Sequence, residues 1–183
     1  MRPWSRAGAV AVLMVLGSTE TRAGAEPAWW FTIAGQAGIE TGRLGDLVGT
    51  EDGGLVGLGV HLLRLGPLLF GPEIEASAGR LSADLGTAGD HVTVWRGRLG
   101  LRANWWPEDT EPRLVPYARG GAVYRADRGD LIEDDGLGWY LGVGVDARLT
   151  KRWALGPFVT YEAVSLSIGT ETFLFGVRLT FSP

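Results

Sequence analysis

Thr172-Phe173-Leu174-Phe175-Gly176-Val177-Arg178-Leu179-Thr180-Phe181, near the C-terminal end of the chain, alternates strictly. Phe173, Phe175, Val177, Leu179 and Phe181 share one phase, and Thr172, Leu174, Gly176, Arg178 and Thr180 share the other. Period two is the signature of a β-strand whose faces meet different surroundings. A helix would scatter the five large apolar residues around its whole circumference.

The same alternation recurs back toward the N-terminus. The first such segment, 29–40, sets Trp29, Phe31, Ile33 and Ile39 against Trp30, Thr32, Gln36 and Glu40. The others are predicted over 54–64, 69–81, 93–105, 115–125, 137–149 and 153–163, so the spacing predicts eight antiparallel strands. An even count is what a closed up-and-down barrel requires. The connectors also alternate. Leu65-Gly66-Pro67 and Thr150-Lys151-Arg152 are tight turns and 106–114 is somewhat longer, whereas 41–53, 82–92, 126–136 and 164–171 are predicted as the longer loops of the opposite rim.

Alternation alone does not say which phase faces outward, because a soluble barrel keeps its apolar phase inside. The aromatic residues decide. In the apolar phase, Trp29, Phe70, Trp105, Trp153 and Phe181 stand at one end of their strands, and Trp95, Tyr124, Trp139, Tyr161 and Phe173 at the other. Two bands of amphipathic rings are what the two interfaces of a bilayer select. Eight to ten residue steps between them correspond to roughly 19 to 23 Å on a tilted strand, close to the ~25 Å apolar band of a membrane barrel.

The opposite phase carries Glu40, Glu73, Glu75, Asp146 and Glu162 together with Arg96, Arg98, Arg102, Arg119, Arg148 and Arg178. A basic side chain at mid-depth on the lipid face would cost about 2 to 4 kcal/mol, so these charges are predicted to form a network inside the barrel. Unpaired buried charge costs several kcal/mol, so a narrow lumen needs near balance of sign. Gly57, Gly59, Gly142, Gly144, Gly156 and Gly176 share this phase and are predicted to make room for the long charged side chains.

At the other end of the chain, Arg2 and Arg6 precede an apolar run over 7–17, and Ala23-Gly24-Ala25 offers the small residues of a cleavage site. Residues 1–25 are therefore predicted to be a signal peptide, too short in its apolar part to span a bilayer. Residues 26–183 are predicted to form one barrel domain. The absence of cysteine excludes disulfides, thiolate zinc sites and cysteine nucleophiles. A net charge of −4 with no basic stripe makes nucleic acid an unsuitable partner.

No cluster reads as a catalytic, cofactor or metal site. The histidines are His61, in the inward phase, and His91, after a loop; neither has a serine or acid at a triad-like spacing. The segment 126–136 concentrates Asp127, Asp130, Glu133, Asp134 and Asp135, but without EF-hand spacing, and reads as a solvated acidic loop.

The chain resembles the small OmpA/OmpX-like outer-membrane barrels. The resemblance rests on Pro116-Tyr117 before a glycine-rich strand, on Gly142-Val143-Gly144-Val145-Asp146 leading through Arg148-Leu149-Thr150 into Trp153, and on the closing strand, after which Ser182-Pro183 departs from the usual aromatic terminus. It implies outer-membrane lipid as surroundings and recognition of the last strand by the barrel-insertion machinery. The expected architecture is an all-β, eight-stranded antiparallel transmembrane barrel with a filled polar interior. The expected role is non-enzymatic, in envelope integrity or surface contact through loops whose ligand the sequence does not name. A small pore, a lipid-modifying enzyme and a soluble periplasmic ligand-binding barrel are the rival readings.

Overall fold

A computed structural model describes residues 27–42, 47–83, 91–107, 111–129, 133–166 and 170–183. The predicted signal peptide, Asp130 and the side chain of His91 lie outside the described residues. The described residues form nine strand segments: β1 Trp29–Gly42, β2 Leu47–Val60, β3 Leu63–Leu65, β4 Leu68–Ala83, β5 His91–Trp105, β6 Leu114–Arg128, β7 Glu133–Arg148, β8 Trp153–Val164 and β9 Thr170–Phe181. Both β2 and β3 pair with β4, so they are two parts of one stave, and the barrel has eight. Each stave is antiparallel to its neighbours, and β1 closes the ring by pairing with both β2 and β9.

The register fixes the shape of the cylinder. Partners run from Glu40 through Thr172, Glu162, Tyr140, Gly121, Gly100, Glu73 and Gly59 back to Trp30 on the starting strand, ten residues below Glu40. Eight staves with that stagger tilt by roughly 45° and leave a backbone radius of roughly 8 Å. Two long side chains reaching inward from facing staves therefore meet at the axis.

The strands outrun the sequence reading at one rim. β2 starts at Leu47 rather than residue 54, β6 continues to Arg128, and β7 starts at Glu133. The long loops predicted over 41–53, 82–92, 126–136 and 164–171 shrink accordingly. The reason is that apolar alternation stops where lipid stops, whereas hydrogen-bonded pairing does not. Above that level Asp52, Arg80 and Thr93 occupy the exposed outer face, and a strand wet on its outside no longer shows the pattern.

The inward glycines serve rings as much as charges. Gly59 faces Trp30, Gly144 faces Tyr117 and Gly176 faces Phe158 as direct cross-strand partners, and in each case an added Cβ would strike the ring. Gly142 gives space to Arg119, whose Nε would lie 2.9 Å from an added Cβ, and Gly57 to Glu75. At the tight turn between β3 and β4, Gly66 takes a φ of 57°, the left-handed region that glycine adopts without strain.

Two hairpins repeat one device. Gly57-Leu58-Gly59-Val60 is followed by Gly71-Pro72, and Gly142-Val143-Gly144-Val145 is followed at the same spacing by Gly156-Pro157. In both, the second glycine lies so close to the carbonyl of the valine, Val60 or Val145, that no side chain fits. The proline that follows has no N–H to give the ladder. The regular pairing is interrupted there, at His61 and Leu62 in the first hairpin and between Gly144 and Ala147 in the second. Arg102 stands opposite Gly71, and Arg178 opposite Gly156.

Candidate functional site

The lumen is the only interior this fold has, and its described residues bury six arginines and seven carboxylates. Strand parity puts them there. Glu73 and Glu75 on β4 and Arg96, Arg98 and Arg102 on β5 all occupy the inward phase of adjacent staves. Their outward neighbours Ile74, Leu99 and Leu101 are exposed.

Glu75 is the hub. Arg98 on β5 lies 3.3 Å from it, Arg178 on β9 donates at 2.8 Å, and Arg119 on β6 donates through NH1. Glu73 takes Arg119 at 3.3 Å and Arg102 at 3.6 Å. Arg102 also donates to Asp146 at 2.6 Å, and Arg119 to the Thr160 hydroxyl at 2.7 Å. Four guanidinium groups thus share few acids, and aromatic faces supply further negative potential. The Arg102 guanidinium lies 3.8 Å from the centre of the Tyr117 ring, Arg178 5.1 Å from it, and Arg119 5.5 Å from Phe158. A cation over such a face gains about 0.5 to 2 kcal/mol.

Toward the other rim the pairing changes character. Arg96 grips Glu51 with two 2.6 Å hydrogen bonds and lies 2.8 Å from Glu162, which also receives Arg98 Nε. Arg125 reaches across to Glu40 on the opposite stave at 2.8 Å and holds Asp127 through two 2.7 Å bonds. Apolar side chains pack beside these pairs: Leu81, Val92 and Val94 form one buried cluster, and Val123, Tyr140, Val164 and Leu166 another.

The short-turn end combines a buried apolar cluster of Leu69, Trp106 and Val115 with polar groups. His61 Nδ1 lies 2.6 Å from the carbonyl of Pro27, and its ring packs on Trp30 at 4.6 Å. Its Nε2 lies 2.7 Å from the Asn104 amide nitrogen, while Asn104 Oδ1 accepts from Arg102 at 2.9 Å.

Of the charges assigned to the network from sequence, Glu40, Glu73, Glu75, Arg96, Arg98, Arg102, Arg119, Asp146, Glu162 and Arg178 are buried in the lumen. Arg148 is displaced from it. It is half-buried at the short-turn mouth, donates to the Lys151 carbonyl at 3.0 Å and lies 5.0 Å from the Trp106 ring. Parity gave its face but not its height, and at the last residue of β7 the inward direction leads out of the barrel.

Sequence reading missed Glu51, Arg125, Asp127 and Phe158. Glu51 and Asp127 fall in the segments predicted as loops, although each continues the inward parity of its strand, Glu51 above Gly57 and Gly59, and Asp127 beyond Arg119 and Val123. The acidic segment 126–136 is split by the strands: Asp127 points inward, whereas Glu133 and Asp135 are exposed. Among the described residues no group of three His, Asp or Glu gathers as metal ligands would.

The aromatic residues of the apolar phase stand on the outside. Trp95, Trp105, Tyr124, Trp139, Trp153 and Phe173 are exposed, and Trp29, Phe70, Tyr161 and Phe181 are half-buried against neighbours. Near the short turns, Trp29 and Trp153 flank Phe181 at 5.8 and 4.9 Å. At the far end, Trp139 and Phe173 flank Tyr161 at 5.3 and 5.0 Å.

A family model described as outer membrane protein beta-barrel domain matches residues 8–181. No curated protein matches the chain by sequence. Among solved structures, Neisserial surface protein A superimposes with a TM-score of 0.61 at 13% identity, over 85% of this chain and 97% of that one. The attachment invasion locus protein Ail of Yersinia pestis gives 0.56 at 10% identity, over 86% and 100%. OprG of Pseudomonas aeruginosa gives 0.54 at 13% identity, over 88% and 100%. At such identities the likeness is one of fold. With a family model spanning nearly its whole length and a closed eight-stave barrel apolar outside and charged within, this chain belongs to the outer membrane protein beta-barrel domain family and resides in the outer membrane.

Proposed function

We propose that this protein is a non-enzymatic outer-membrane barrel that serves envelope integrity or surface contact through its outer rim, with the barrel as its anchor. The observation carrying this reading is the filled lumen. Glu75 draws arginines from three other staves to one point near the axis, and the pairs of Arg96 with Glu51 and of Arg125 with Glu40 fill the next level toward the long-loop rim. A cylinder of roughly 8 Å backbone radius has no space left for a continuous water column once those side chains meet. Transport and lumen-based chemistry are disfavoured for the same reason.

The aromatic rows would hold the barrel at the two interfaces of the lipid, and β9, with Phe173, Phe175 and Phe181 on its outer face, would be the strand read by the insertion machinery. Among the similar folds, the Yersinia pestis protein is an attachment invasion locus product and the Neisserial one a surface protein. They are consistent with a contact role and name no ligand for this chain.

Planar-bilayer recording tests the reading. The purified barrel is expected to give no stable single-channel conductance, while cells lacking it lose resistance to bile salts or lose adherence. A reproducible conductance step together with unaltered surface phenotypes would make it a small pore instead.

A further inference from the structure

We infer that the short-turn mouth of the barrel, which faces the periplasm, is a binding site for a phosphate group. A recess of about 70 Å³ opens there, walled by Arg148, Lys151 and Arg152 of the β7–β8 turn and by Trp106, with Arg102 and Asp146 also contributing. A recess of this size has room for a compact tetrahedral anion.

Charge points to an anion. Among the described residues Arg148, Lys151 and Arg152 line the recess with no carboxylate of their own, and the carboxylate that does line it, Asp146, already receives Arg102 at 2.6 Å and the Thr180 hydroxyl at 3.5 Å through Oδ2. The lumen arginines behave otherwise: Arg96, Arg98, Arg102, Arg119, Arg125 and Arg178 each lie within 4 Å of a carboxylate.

The turn is also pre-organised. The Thr150 hydroxyl accepts the backbone N–H groups of Arg152 and Trp153 at 3.2 and 3.1 Å, and the Arg148 backbone N–H is tied to the Arg113 carbonyl at 2.8 Å. Arg148 is further fixed by its bond to the Lys151 carbonyl and by the Trp106 ring. The Arg148 guanidinium, held in place, presents planar donors to phosphate oxygens, while the exposed Arg152 and Lys151 side chains supply charges free to move onto it. The phosphate could belong to a phospholipid headgroup of the inner leaflet or to a soluble phosphate ester.

Lys151 is the only lysine in the chain, so reductive methylation with a carbon-13 label reports on this turn by NMR without removing its charge. In maltoside micelles, inorganic phosphate titrated against sodium chloride of equal ionic strength is expected to shift the Lys151 signal saturably, with the affinity falling at least tenfold in Arg152→Gln and in Arg148→Gln. Heat-modifiable migration on a gel checks that each variant stays folded; the Arg152 side chain is exposed, so its removal spares the barrel. In nanodiscs, a shift that appears with phosphatidylglycerol and without added phosphate assigns the group to a lipid. A shift that requires dissolved phosphate assigns it to a soluble ester. A response that chloride reproduces, that never saturates, or that Arg152→Gln leaves unchanged is a diffuse ion atmosphere and overturns the site.

Discussion

The two halves of the lumen neutralise buried charge in different ways. Around Glu73 and Glu75, toward the short turns, arginines outnumber acids, and rings of Trp30, Tyr117 and Phe158 make up the difference. Toward the outer rim acids outnumber arginines: Arg96 serves Glu51 and Glu162, and Arg125 serves Glu40 and Asp127, beside the aliphatic cluster of Leu81, Val92 and Val94. Glu162 joins the halves by receiving both Arg96 and Arg98. Rings gather where glycines stand opposite them, so the distribution of glycine along the inward phase decides which half can hold an arginine surplus.

This contrast can be broken most severely at the hub. Glu75→Gln leaves Arg119 and Arg178 with Glu73 as the nearest remaining acid, while Arg98 keeps Glu162. A loss of about 3 to 5 kcal/mol in urea unfolding from micelles is expected, as for a broken buried pair, with loss of the heat-resistant compact band on a gel. A change under about 1 kcal/mol would mean that the arginines are hydrated and the half is not closed.

Glu51→Gln is expected to cost less, about 1.5 to 3 kcal/mol in the same measurement, because Arg96 keeps Glu162. If it equalled Glu75→Gln, acids would not be in surplus at the outer end. The smallest effect falls on the ring support. Tyr117→Leu preserves apolar volume but removes the face beneath Arg102 and Arg178, and about 1 to 2 kcal/mol is expected. Combined with Arg102→Met, the two losses should fall short of their sum, since the contact they share is removed once. Full additivity would show that the rings merely fill space.

Much of this was legible because strands have an exact side-chain period. Parity puts Arg98 and Leu99 on opposite faces and Trp95, Leu99 and Trp105 on one, and the aromatic bands make that one the outer face. Parity also reached Glu51 and Asp127, yet both were assigned to loops, because the strand was ended where the outward residues ceased to be apolar. Arg148 failed for the complementary reason: its face was right, but a sequence carries no measure of depth below the rim. Phe158 was hidden because an inward aromatic looks misplaced until Gly176 is known to lie across from it.

Alternation, the even strand number and the two aromatic bands are local or additive properties, and the amino-acid sequence by itself determined from them a barrel with oily outside and charged inside. Which arginine meets which glutamate was decided only by the closed cylinder. Arg125 and Glu40 are far apart in the chain and sit on opposite staves, and only the stagger of ten residues over eight staves brings their heights into line. Contacts across a lumen depend on that global closure, and no window of sequence contains it.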